Sequence, residues 1–381
     1  MPRTLVVTND FPPRRGGIET FVSALTEQLP AEGVVVYTAR MPGHRDVDAA
    51  LPFPVLRDPS PTLLPLLSVG RRAAWAMRTY GCDRVLFGAA APLGLLAPTL
   101  RAAGAQRIVA LTHGHETWWA STPGARTALR RIATGCDTLT YVSRWCRDRI
   151  APALPAAAAA RMRPLSPGVD PAVFRPGCGG ARVRKSLAIE AGRPVVVCAA
   201  RMVARKGQDT LVQGWRDVLA VVPDAVLLLV GDGPHRQRVE RLVAAAGVTD
   251  SVVFTGSVAW SDMAAHLDAG DVFAMPCRTR RYGLEPEAFG IVFLEAAACG
   301  LPVVVGRSGG APETVRDGGT GYVVDPLDPS AVSAAVVSLL TDRARARAMG
   351  AAGREWVESS WTWSRAGNDL HMLLTGAAPP T

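Results

Sequence analysis

Lysine is almost absent from this chain. Of its 42 basic residues only Lys185 and Lys206 are lysine; the rest are arginine. Aromatic residues are scarce too, at 6% of 381. The longest stretch without a charge, Val85 to Leu100, is broken by Pro92 and Pro98 and is too short to cross a bilayer comfortably. Met1-Pro2-Arg3-Thr4 runs straight into Leu5-Val6-Val7, so no secretory leader is expected. The seven cysteines are odd in number and lack C-x-x-C spacing, which argues against a zinc site and for buried, reduced thiols. These lacks point to a soluble or peripheral protein. Apolar content of 48% and charged content of 20% are those of a packed globular chain, long enough for two domains.

The net charge of +9 is unevenly placed. Residues 1–180 hold 21 arginines against 12 acidic residues, whereas residues 181–381 balance 21 against 21. Such asymmetry fits an anionic partner for the first half, either nucleic acid or a membrane surface. It equally fits arginines scattered without purpose through an Arg- and Ala-rich chain.

Short continuous apolar runs alternate with segments of helical period. In the first half the runs are Leu5 to Thr8, Val34 to Tyr37, Asp83 to Phe87, Arg107 to Leu111 and Thr138 to Val142. This alternation predicts α/β architecture with parallel sheets covered on both faces. Pro164 to Pro176 is dense in proline and leads into Gly177, Gly179 and Gly180, as a linker does. The pattern then restarts, with predicted strands Pro194 to Ala199, Ala225 to Val230, Ser251 to Thr255, Asp271 to Met275 and Pro302 to Val305. The expected layout is an N-terminal domain over 1–168 and a second over 169–359, with a helix at about 360–378 packing back on the first. Two doubly wound domains bind ligands beyond their carboxyl strand ends, in a central cleft.

The candidate chemistry lies at those strand ends. Gly16-Gly17 opens the first helix, where a backbone without side chains lets a phosphate approach. Thr112-His113-Gly114-His115-Glu116 follows a strand. Its two histidines are two residues apart, poor spacing for a metal, and His113 is read as the one pointing to ligand. Arg201 and Lys206, before Gly207, put two cations ahead of a helix, where cations are disfavoured unless an anion binds. Lys206 supplies a compact ammonium in a chain that otherwise uses arginine. Glu287 and Glu295 straddle Gly290, with Glu295 inside an apolar helical run. There a solvated acid is unexpected and a buried one needs a partner. The N–H groups of Gly290, Ile291 and Val292 are expected to be free at the helix start. Cations answer a diphosphate and carboxylates answer sugar hydroxyls, so the combination reads as a nucleotide-sugar site.

These residues carry a family resemblance over essentially the whole chain. Phe11-Pro12-Pro13 with Gly16-Gly17-Ile18, the Ser166 to Asp170 hinge, Arg201 with Lys206-Gly207, Gly231-Asp232-Gly233 and the Glu287–Glu295 spacing resemble the retaining GT-B glycosyltransferases of family four. Thr8 to Arg14, Phe87 to Leu93, Thr112 to Glu116, Ala274 to Arg280 and Ser308 to Thr314 look like the actinobacterial phosphatidylinositol mannosyltransferases of the PimB type. The resemblance implies two Rossmann-like domains. It implies mannose transfer from GDP-mannose to a phosphatidylinositol mannoside, with retention, no cofactor and no metal. By position, it implies that Arg201 and Lys206 meet the diphosphate, Glu287 the mannose and Glu295 the ribose. Val258 would lie by the base, and Gly290, Ile291 and Val292 would supply backbone contacts. Gly16 and Gly17 would approach phosphate and His113 the reacting sugar, with Asp10 and Arg14 as acceptor candidates. The acceptor domain is the one carrying the excess charge. An anionic phospholipid at the inner face of the cell membrane is thus the expected partner of a cytoplasmic, peripheral enzyme, and nucleic acid is not. Leu63, Leu64, Leu66, Leu67 and Trp75, beside Arg71 and Arg72, are candidates for the bilayer surface or for a core helix. A soluble acceptor, such as a secondary metabolite or oligosaccharide, is the alternative. Arg281-Tyr282-Gly283 departs from the relatives' glycine run before Glu287, which bears on sugar and acceptor preference.

Overall fold

The computed structural model describes residues 2–14 and 16–377. The chain divides into two compact units, one formed by residues 1–168 with 363–381 and the other by residues 169–362.

The first unit holds seven strands: β1 (Arg3–Thr8), β2 (Val34–Ala39), β3 (Val55–Asp58), β4 (Cys82–Phe87), β5 (Arg107–Ala110), β6 (Thr138–Tyr141) and β7 (Arg163–Pro164). They pair in parallel in the order β3-β2-β1-β4-β5-β6-β7. The central strands are largely apolar because helices cover both faces. Every residue of β2 is buried, and β1 is buried from Thr4 onward. The last helix, Trp363–Thr375, belongs here: it packs on the first helix, Gly17–Glu27, and on β5. Its Leu373 carbonyl accepts a hydrogen bond from Arg107 Nε at 2.9 Å, and Gly367 gives the close approach to Gln28.

The second unit holds β8 (Val195–Ala199), β9 (Val226–Val230), β10 (Val252–Gly256), β11 (Val272–Met275), β12 (Val303–Gly306) and β13 (Gly321–Val324). These pair in parallel in the order β10-β9-β8-β11-β12-β13. In both sheets the strand order reverses once beside a central strand, between β1 and β4 and between β8 and β11. Ligands of doubly wound sheets bind beyond the carboxyl ends at that point. Between β8 and β9 the chain forms two helices, Gln208–Gln213 and Trp215–Val221. They break at Gly214, where a Cβ would meet the Pro329 carbonyl oxygen at 2.6 Å.

Candidate active site

In the second unit the reversal point is occupied by two abutting loops. The loop after β8 runs Ala200 to Gly207, and the loop after β11 begins at Pro276. Gly207 has φ +78 and stands so near Pro276 that a Cβ would meet its carbonyl oxygen at 2.0 Å, so the position demands glycine. The first loop is tied to its neighbours: Met202 N–H donates to the Asp232 carbonyl at 2.8 Å, and Arg278 N–H donates to the Arg205 carbonyl at 2.8 Å. Arg278 also forms an ion pair with buried Asp209 at 2.7 Å and donates to Thr210 Oγ1 at 2.9 Å.

This scaffold brings Lys206 onto Glu287. Lys206 Nζ lies 2.7 Å from Glu287 Oε2, and Arg205 Nε lies 3.6 Å from the same oxygen. Glu287 Oε1 meets no protein donor among the described residues. Burial alone would raise the pKa of Glu287. The charges of Lys206 and Arg205 outweigh it and hold the carboxyl below its ordinary value. The Glu287 backbone is clamped as well. Its N–H donates to Ser308 Oγ at 3.1 Å and its carbonyl accepts from Gly310 N–H at 2.9 Å. Arg201 is on the same strand-end loop but exposed, and its guanidinium has no ion pair among the described residues.

Helix Ile291–Ala298 starts three residues beyond the Glu287–Ala288 step. Its N-cap, Gly290, has φ +89, and a Cβ there would collide with the Phe293 ring at 2.5 Å. The first intrahelical bond runs from Phe293 N–H to the Gly290 carbonyl at 3.1 Å. The N–H groups of Gly290, Ile291 and Val292 therefore precede the helical ladder, as the sequence predicted. Glu295 lies one turn further in, and its carboxyl has no hydrogen-bond or ion-pair partner among the described residues. Burial pushes its pKa up to about 7. Val258 follows the end of β10 by two residues and is half-buried.

In the first unit the corresponding loops follow β1, β4 and β5. Arg14 pairs with Glu19 of the first helical turn at 2.8 Å, and a Cβ on Gly16 would strike the Glu19 carboxylate. A Cβ on Gly17 would meet nothing within 4 Å. Only the mobile end of the Glu19 side chain crowds position 16 and nothing crowds position 17, so packing demands glycine at neither. His113 packs edge-on to Phe21, with ring centroids 5.6 Å apart, and its Nε2 lies 2.6 Å from the Gly88 carbonyl. A carbonyl only accepts, so Nε2 carries the hydrogen and Nδ1 is left as an acceptor. Burial lowers the His113 pKa against the opposing charges of Glu116 and Asp10, keeping the ring neutral. Fully buried Glu116 accepts the N–H groups of His113 at 3.0 Å and Gly114 at 3.2 Å, and fixes the turn. His115 is exposed. Asp10 donates its N–H to Thr8 Oγ1 at 2.9 Å.

One of the residues expected at a bilayer surface is corrected. Leu63 is fully buried, pinned through its backbone to Asn9 Nδ2 and Oδ1 at 2.9 and 2.7 Å. Arg72 is held by buried Asp58 at 2.6 Å, which also accepts the Tyr37 hydroxyl. Leu64, Leu66, Leu67, Arg71 and Trp75 are exposed. Arg205 and Ser308, which hold Glu287, were not singled out from sequence. Their neighbours Lys206 and the Gly309-Gly310 pair were the available signal.

Among the described residues no group of three or more His, Cys, Asp or Glu side chains is arranged to hold a metal ion. No described helix is long and apolar enough to cross a membrane.

Comparison with known proteins identifies the family and the fold. Residues 15–173 match Glycosyltransferase Family 4, and residues 181–356 match Glycosyl transferases group 1. The GDP-mannose-dependent alpha-(1-6)-phosphatidylinositol monomannoside mannosyltransferase of Mycolicibacterium smegmatis is 47% identical over 98% of each chain. The enzyme of the same description from Mycobacterium tuberculosis is 46% identical over 99% of each. Among solved structures, Anabaena Alr3699/HepE in complex with UDP superposes with a TM-score of 0.82 at 18% identity, over 99% of this chain and 100% of that one, a likeness of fold. The chain belongs to the GT-B glycosyltransferases of family four, as a close relative of the actinobacterial PimB-type mannosyltransferases.

Proposed function

We propose that the chain is a hexosyltransferase that moves mannose, with retention, from GDP-mannose to a phosphatidylinositol mannoside. The observation that carries the reading is Glu287. It is buried, ionised by Lys206 and Arg205 through one oxygen, and open to a ligand through the other, in a chain near half identical to such enzymes along its whole length. Oε1 is the acceptor we assign to a mannose hydroxyl. Lys206, with ammonium hydrogens beyond the one facing Glu287, and the uncommitted Arg201 are assigned to the diphosphate. There they offset the charge that develops as the leaving group departs. The head of helix Ile291–Ala298 offers N–H groups to phosphate or sugar oxygens, through Gly290, Ile291 and Val292. Glu295, without a protein partner, is assigned to the ribose hydroxyls and Val258 to the base.

In the first unit we assign the neutral His113, through Nδ1, to a hydroxyl of the reacting sugar, and Gly16 and Gly17 to phosphate. Asp10 and Arg14 are assigned to the acceptor. The excess arginine of residues 1–180 and the exposed Leu64, Leu66, Leu67 and Trp75 support work at an anionic membrane surface, at the inner face of the cell membrane. The test is turnover of a panel of nucleotide sugars with an extracted lipid fraction. Mannosylated phosphatidylinositol formed from GDP-mannose is the expected product. Transfer to a soluble glycoside with none to lipid would replace the acceptor assignment.

A further inference from the structure

Two thiols meet in the second unit, outside the residues assigned to donor and acceptor. Cys299 is the C-cap of helix Ile291–Ala298 and is buried. Its N–H donates to the Glu295 carbonyl at 3.1 Å, and its Sγ lies 3.9 Å from the Ala264 carbonyl oxygen. Cys178 sits in the turn between Pro176 and helix Gly180–Ser186. The two side chains share a hydrogen bond.

The backbone fixes this contact from both sides. The Asp268 carboxylate, at the end of helix Trp260–Asp268, accepts the N–H groups of Gly177 at 2.8 Å, Gly179 at 3.0 Å and Gly180 at 2.6 Å. Ala264, which faces Cys299, lies one turn earlier on the same helix, so a single helix seats both thiols. Beyond Cys299 the approach is as close: a Cβ on Gly300 would stand 3.2 Å from Pro176 Cγ.

The pair is asymmetric. Among the described residues Cys178 is the one cysteine that is not buried. Burial, with Cys178 and Asp268 nearby, pushes the Cys299 thiol up, so it keeps its proton. Cys299 nevertheless lines a cavity of about 270 Å³, walled also by Pro176, Gly300, Pro302, Arg343 and Arg347, with room for an oxidant the size of water.

We propose that Cys178 and Cys299 form a modification site: a dithiol that hydrogen peroxide closes to a disulfide, fastening the turn at residues 177–180 to the tail of the helix that bears Glu295. The Cys178 thiolate attacks peroxide. An S–O bond forms, the O–O bond breaks, and the departing hydroxide takes the proton the thiol gave up and leaves as water. Cys299 then attacks the sulfur of the Cys178 sulfenic acid. The S–S bond forms, the S–O bond breaks, and the Cys299 proton leaves with the hydroxide as a second water. Two electrons pass from the two thiols to one peroxide, and a small dithiol reverses the change.

The test treats the full-length chain with hydrogen peroxide, maps its peptides by mass and follows melting before and after dithiothreitol. The expected product is one linked pair, Cys178 with Cys299, two hydrogens lighter than the free peptides. Closing a loop of about 120 residues should raise the melting transition by roughly 5–10 °C, and dithiothreitol should cancel the rise. Cys178→Ser, at a half-buried position, should melt like reduced wild type and lose both the link and the rise. Cys299→Ala should leave Cys178 as a sulfenic acid that dimedone labels. Should that variant fail to fold, Cys178→Ser and the wild-type map still decide. Wild-type Cys178 that does not react, that halts as a sulfenic or sulfinic acid, or that links to another cysteine overturns the pairing. A Cys178–Cys299 bond that forms without raising the melting transition overturns the fastening.

Discussion

The two units repeat one architecture and use several of their charges differently. In the first, Arg57, Asp58 and Glu116 are spent on the protein itself: each binds side chains or backbone that it holds in place. In the second, Glu287 keeps one oxygen open, Arg201 is uncommitted and Glu295 has no partner at all. A buried carboxyl without a partner costs stability, and a fold retains such a cost where a ligand supplies the partner. Charge consumed by the fold predicts loss of stability on mutation. Charge left over predicts loss of binding or rate.

The largest expected effect lies in the first unit. Arg57→Met strands Asp48 and two carbonyls and should cost about 3–5 kcal/mol of stability in chemical denaturation. GDP should titrate as in wild type below the new transition. A parallel fall in GDP affinity would break the comparison. Next is Lys206→Ala, which should lower kcat/KM by about 10²–10³-fold, the scale of losing a charged donor at a developing anion. The pairing adds a control: Lys206→Met with Glu287→Gln should melt closer to wild type than Lys206→Met alone, because the double change leaves no unpaired charge.

Glu295 gives opposite signs in one variant. Its folded pKa of about 7 exceeds the ordinary 4.5, so the fold holds a proton that the unfolded chain has released. Stability should therefore fall as pH rises from about 4.5 to 7 and level off above. Glu295→Gln should remove that decline, gaining on the order of 2 kcal/mol above pH 7 and little below pH 4.5. It should at the same time weaken GDP in calorimetric titration. Equal losses of stability and affinity would mean that Glu295 has a structural partner after all. Smaller still, Gly17→Ala should shift stability by no more than about 1 kcal/mol, since its Cβ enters open space, while transfer drops. A chelator should leave the rate unaltered if, as proposed, Lys206 and Arg201 supply the positive charge at the leaving group. Loss of turnover restored by Mg²⁺ would contradict that assignment.

The sheets were legible because buried parallel strands are apolar at nearly every position. Runs such as Val195–Ala199 and Val226–Val230 leave no other reading at that length. Glu287 and Glu295 were legible because acids flanking a glycine in an apolar run are locally unfavourable. What stayed hidden depended on pairings distant in sequence. Strand β3 is half polar at an edge. Leu63 reads like Leu64 until Asn9, 54 residues away, fixes its backbone. Arg72 reads like Arg71 until Asp58 takes it. The tautomer of His113 is set by the Gly88 carbonyl, which no local pattern reveals.

The return of helix Trp363–Thr375 to the first unit has a consequence for how the molecule is made. Residues 169–362 are contiguous, so that unit has all its parts as soon as it clears the ribosome. The first unit emerges earlier yet lacks a covering helix until some two hundred further residues have been translated. Phe21, whose ring lies 6.1 Å from that of Trp363, must wait half-covered in the meantime. The unit translated first is thus the one finished last, and a stop codon shortly before Trp363 would leave the later unit complete and the earlier one open.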